Sequence, residues 1–200
     1  MSEDDPVLPY PGHTATGRRK PLVPNGVLGM LLFTVTELMF FTGFVSAFLV
    51  AEASSLGINW PPPDQPRLPA VQTAWNTAAL LLSAVFLFLA ERRFRKNPDD
   101  AKTFTTIALA LGALFVILQG REWAALLAQG MTLSSSQLAS FFYAIIGCHG
   151  AHAVVAVGLL ADATRRLRAG SLTREHFWTV QVFWYFVVGV WPFLYFVVYL

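Results

Sequence analysis

Five stretches of this sequence are each long and apolar enough to cross a lipid bilayer, and little else about the fold is left free once they are seen. A helix rises about 1.5 Å per residue, so about 20 apolar residues traverse a hydrocarbon core about 30 Å thick. Runs of that kind lie at Val27–Val50, Val71–Ala90, Thr103–Leu127, Leu138–Ala161 and Phe177–Leu200. The third is the least clean, because Gln119, Arg121 and Glu122 sit near its end. Composition agrees: 55% of the residues are hydrophobic and 13% charged, where a soluble domain carries about 25% charged residues. The reading is an all-α polytopic membrane bundle of five transmembrane helices. Residues 27–200 form the membrane domain. Residues 1–26 read as a polar, proline-rich tail with no short apolar core before a cleavage site, hence no signal peptide.

The basic residues set an expected orientation. Arg18, Arg19 and Lys20 precede the first run, Arg92, Arg93, Arg95, Lys96 and Lys102 lie between the second and third, and Arg165, Arg166, Arg168 and Arg174 between the fourth and fifth. The opposite loops hold only Arg67 and Arg121. Positive charge is retained on the cytoplasmic side, so the N-terminus is expected in the cytoplasm and Leu200 on the periplasmic side. The basic residues are explained by topology and by anionic headgroups, and nothing points to nucleic acid. The loop GINWPPPDQPRLP, with five prolines, reads as a stiff interfacial segment that Trp60 could anchor. Cys148, the one cysteine, reads as a small packing residue with no disulfide partner.

Polar side chains inside such runs are costly and face the protein interior, a partner or water. Glu37 lies about 15 Å along the first helix, and His149 and His152 lie about 16 and 21 Å along the fourth from the opposite side. All three therefore sit near mid-membrane. The two histidines of GCHGAHA are three apart and share a face. A metal or haem site is the sharp reading of the pair; hydrogen bonding between helices, with Glu37 as one candidate partner, is the plainer one, and a proton relay stands between them. Too few other ligands are present for a redox metal: His13 and His176 lie outside the membrane core, and a carboxylate-bridged metal bundle needs further Glu-x-x-His motifs. Phe33, Phe40, Phe41, Phe44 and Phe48 share the Glu37 side of the first helix, while Gly29, Thr36 and Gly43 repeat every seven residues as a stripe for close helix packing. Glu122, between Arg121 and Trp123, reads as a solvated helix end, and Asn76 as an interhelical hydrogen-bond donor.

In order along the chain, LFTVTELMFFTGFVSAFL, WPPP at Trp60–Pro63, NTAALLLS from Asn76, LGALFVILQGREW with Gln119 and Glu122, GCHGAHAVVAVGLL and WYFVVGVWPFLY resemble the subunit III family of haem–copper oxidases. The likeness runs over about residues 25–200. It implies a non-catalytic subunit of a proton-pumping terminal oxidase in a bacterial cytoplasmic (inner) membrane. Such a subunit carries no haem, copper or other metal itself. It packs on catalytic subunit I, beside subunit II, which carry the haem and copper, and it retains phospholipid and supports proton uptake. Longer members have seven helices, and this chain resembles the last five. Glu37 matches the family's buried glutamate and His149 and His152 its paired histidines; Asn76, Gln119 and Glu122 fall in the matching segments. Tyr185, Val188 and Trp178 stand where the family usually has histidine, aspartate and glutamate, and Pro192 is unusual there. A subunit III-like partner of a nitric oxide reductase, and a small transporter or proton channel, are the alternatives.

Overall fold

A computed structural model describes residues 23–54, 66 and 68–199. It holds five helices: α1 (Asn25–Ser54), α2 (Ala70–Phe94), α3 (Pro98–Ala128), α4 (Gln137–Arg168) and α5 (Arg174–Tyr199). Each is long and apolar enough to span a membrane. Trp60 and the WPPP segment of the polyproline loop, Arg67, and residues 1–22 of the N-terminal tail lie outside the described residues, and α1 begins inside the expected tail, at Asn25.

The helices outrun the apolar runs at the basic end. α2 continues through Arg92 and Arg93, and α4 through Arg165, Arg166 and Arg168. Arginine is a good helix former and its charge suits a helix C-terminus. α3 starts at Pro98, whose missing N–H costs nothing in a first turn. The Asn97 side chain caps it by accepting from Asp99 N at 3.1 Å, and Asp99 and Asp100 face the positive end of the dipole. Ser136 caps α4 by accepting from Ala139 N at 3.0 Å. At this basic end Arg168 donates to Thr106 across α3 and α4 at 3.1 Å, and Arg92, Arg93 and Arg174 lie over the rings of Phe88, Phe104 and Trp178.

α2 and α3 form a tight antiparallel hairpin, and α5 is the helix around which the rest assembles. It packs against α1, α2 and α4 and reaches α3 through Trp191, whose ring meets Phe115 edge-on at 5.0 Å, and through Trp184. The Trp184 indole lies directly over Gly112, where a Cβ would collide with it. Gly150 of α4 receives Trp123 of α3 in the same way. Both contacts let helices approach with only hydrogen between indole and backbone. Pro192 sits inside α5; a proline is tolerated in a membrane helix because neighbours take over the freed carbonyl.

Among the described helices, α1 packs on α4 and α5 alone. Its buried residues Val27, Thr34, Phe41 and Phe48 recur every seven, with Val45 and Ala51 beside them. The expected stripes are corrected here. Gly29, Thr36 and Gly43 face outward, and nothing lies within 4 Å of a Cβ placed at either glycine. The aromatic stripe splits, with Phe41 and Phe48 buried and Phe33 and Phe40 exposed. Helical periodicity identifies faces; it does not say which face meets a neighbour when all of them are apolar.

Candidate functional site

Two polar clusters lie within the apolar bundle. The first joins α1 to α4. Glu37 Oε2 stands 3.1 Å from His152 Nε2, so of the two histidines His152 is the one brought to the acid. The other ring nitrogen, Nδ1, lies 2.8 Å from the carbonyl oxygen of Cys148. A carbonyl only accepts, so Nδ1 carries a hydrogen. In a neutral imidazole Nε2 is then bare and accepts, and the hydrogen in the contact with Glu37 has to come from the carboxyl group. If Nε2 is protonated instead, Glu37 is the carboxylate. Both arrangements hold one proton between the two side chains. The arrangement without it would set an anionic oxygen against a lone pair. This tautomer is assigned from the hydrogen-bond pattern. The geometry thus makes Glu37 and His152 a paired dyad across α1 and α4.

Aromatic rings wall the dyad. Phe41 meets His152 edge-on at 5.6 Å, and Phe183 and Phe186 lie 6.2 and 6.5 Å away. Both members remain reachable, at 16% and 20% side-chain exposure for His152 and Glu37. His152 also lines an open apolar groove of about 270 Å³ with Met30, Phe33, Val155, Leu159 and Phe183. His149, three residues away, is turned inward and is 1% exposed. It stacks on Trp191 at 5.0 Å and takes the edge of Phe41 at 6.2 Å, and its Nε2 has no hydrogen-bond partner among the described residues. Cys148 is half-buried, its sulfur 3.9 Å from His152 Nδ1; its backbone, more than its thiol, serves the site.

The second cluster joins α2, α3 and α5. Glu122 is not the solvated helix end that its neighbours suggest. Its Oε2 contacts Thr73 Oγ1 at 2.9 Å and accepts from Gln119 Nε2 at 2.9 Å. Gln119 also donates to the Tyr199 hydroxyl at 3.1 Å, and its Oε1 takes a long contact from Asn76 Nδ2 at 3.5 Å. Asn76 is 3% exposed, and its Nδ2 points from α2 toward Gln119 of α3. Trp191 connects the two clusters physically: while stacking on His149 it donates Nε1–H to Thr77 Oγ1 at 2.8 Å, and Thr77 donates to Thr73 O at 2.7 Å. An indole N–H and a backbone carbonyl cannot pass a proton onward, so this link is a brace and not a relay. Thr73, Thr77, Trp191 and Tyr199 were not singled out by sequence. The signal was there for the threonines, which lie four apart and share a face with Asn76. Among the described residues, no group of three or more His, Cys, Asp or Glu side chains gathers where it could hold a metal ion.

Comparison with known proteins gives a consistent answer. The sequence model of the family described as "Cytochrome c oxidase subunit III" matches residues 12–200. Curated relatives named "Cytochrome c oxidase subunit 3" include that of Pelomedusa subrufa, 32% identical over 195 residues. That of Madoqua guentheri is 34% identical over 197 residues, and that of Hippopotamus amphibius 32% over 195. In each case the alignment covers 93% of this chain and 74% of the relative.

Proposed function

Because this chain belongs to the cytochrome c oxidase subunit III family, and is a multi-pass membrane subunit of an oxidase complex, we propose that its Glu37–His152 dyad holds a proton on behalf of a catalytic partner. The partner is the subunit I that carries haem and copper, with subunit II beside it, and this chain binds neither haem nor copper. The complex sits in a bacterial cytoplasmic membrane with the arginine-rich helix ends in the cytoplasm and the α5 C-terminus on the periplasmic side. The chain also retains phospholipid for the complex.

The observation that carries the proton role is the pairing itself. A carboxyl and an imidazole near mid-membrane are costly unless paired, and Nδ1 of His152 is fixed on a backbone carbonyl, leaving Nε2 to exchange its proton with Glu37 alone. A group of this kind keeps a proton available without a net charge in the hydrocarbon when the carboxyl holds it, and passes through an ion pair when the imidazole takes it. The exposed edge of the pair is where a proton could enter or leave toward a neighbour or a water chain. Phe41, Phe183 and Phe186 keep the other sides dry.

The test is Glu37→Ala in the assembled oxidase. Haem and copper content stay at the wild-type level and initial turnover changes little. Proton uptake slows and the enzyme inactivates sooner during sustained turnover. Loss of metal insertion, or wild-type uptake and lifetime together, would refute the proposal.

A further inference from the structure

On the far side of the α2–α3 hairpin from the dyad runs an open groove of about 560 Å³, and its wall changes character along its length. Leu114 and Leu118 line its deep end, and Gln72, Arg121 and Glu122 its shallow end, with Trp75 on the rim. From Leu114 to Ala125 the α3 wall climbs about 16 Å, which is about half of a hydrocarbon core of about 30 Å. The groove is thus one leaflet long, apolar toward the membrane centre and polar toward the surface. Trp75, 77% exposed, has the amphipathic ring favoured at the membrane–water boundary.

The polar end has a definite charge pattern. Arg121 is exposed and pairs with no acid among the described residues. The next residue, Glu122, has its carboxyl group held in place by Thr73 and Gln119. A cation and a fixed carboxyl therefore both line the shallow end of this groove. Guanidinium binds a phosphodiester by charge-assisted hydrogen bonds, and the adjacent carboxylate complements an ammonium group.

We infer that this groove is a binding site for one zwitterionic phospholipid of the leaflet opposite the arginine-rich helix ends, with its phosphate on Arg121, its ammonium toward Glu122 and an acyl chain along Leu118 and Leu114. The site deepens the lipid-retaining part of the function proposed above by saying where one such lipid lies and what its headgroup is.

The experiment uses the assembled oxidase complex in mild detergent, with bound lipids counted by native mass spectrometry after exchange against vesicles of deuterated phosphatidylethanolamine. Arg121→Gln weakens retention of one ethanolamine lipid about tenfold, the worth of a lost charge-assisted contact. Leu118→Trp, which fills the groove from its apolar end, removes the same lipid, while Gln129→Ala beyond the end of α3 retains it. If Arg121→Gln does not assemble, the Leu118→Trp count decides alone. An unchanged ethanolamine lipid count in the groove variants overturns the site, as does equal loss in Gln129→Ala. Selective loss of an anionic lipid in its place overturns the headgroup assignment. A wild-type complex that retains no lipid at all would instead remove the broader lipid-retaining role.

Discussion

α1 and α5 are equally apolar, but they occupy opposite positions in the bundle: 17% of the apolar stretch is buried in α1 and 50% in α5. α5 presents its large rings inward, with Trp184 over Gly112 and Trp191 between His149 and Phe115. α1 buries a narrow seam and leaves Leu32, Val35, Met39 and Val50 more than half exposed. In water such a surface would mark an error or an interface. In a membrane, lipid tails are as apolar as leucine, so hydrophobicity alone does not tell a lipid face from a protein face. What does tell them apart is shape and polarity, and α1 carries Glu37, the acid in the middle of its length, on the edge of its seam.

The comparison breaks most readily at Trp191. Trp191→Ala removes a side chain that is 1% exposed and the indole N–H that Thr77 Oγ1 accepts. It is expected to cost about 3–5 kcal/mol of bundle stability, measured by denaturant unfolding in detergent micelles. A loss below about 1 kcal/mol would mean that α5 is not the organising helix. Gly112→Ala comes next. The added methyl meets the Trp184 ring, and overpacking of this kind costs about 1–3 kcal/mol. Pairing it with Trp184→Phe should recover part of that loss in a double-mutant cycle, because the two sites touch. Glu122→Ala frees Thr73 and Gln119 from their shared acceptor and should cost about 1 kcal/mol, in line with interhelical hydrogen bonds in membranes. The smallest effect is expected on α1: Met39→Ala, at a side chain 70% exposed, should change the stability of the isolated chain by no more than about 0.5 kcal/mol. A larger change would show that the α1 surface is packed within the chain itself.

The same contrast explains what the sequence disclosed. The five helices were legible because hydrocarbon thickness fixes a length, and capping chemistry at Asn97 and Ser136 only trims the ends. That Glu37 stands level with the histidine pair was legible because helical rise is constant. Which histidine meets the acid was not, since both lie on one face of α4. A rotation of a few tens of degrees decides the matter, and here it turns His149 to Trp191 and His152 to Glu37. The packing stripe of Gly29, Thr36 and Gly43 was misplaced for a related reason: small residues permit close approach without naming the partner. Glu122 was misjudged because its neighbours in sequence, Arg121 and Trp123, are not its neighbours in space, which are Thr73 and Gln119.

The dyad is tested most directly by ¹⁵N solid-state NMR of ring-labelled histidine in the assembled oxidase, wild type against Glu37→Gln. The account predicts that His152 Nδ1 carries a proton in both, and that the Nε2 signal moves when the carboxyl is replaced, because the shared proton is gone. A His152 ring with a bare Nδ1, or one whose Nε2 signal is indifferent to the loss of Glu37, would contradict it.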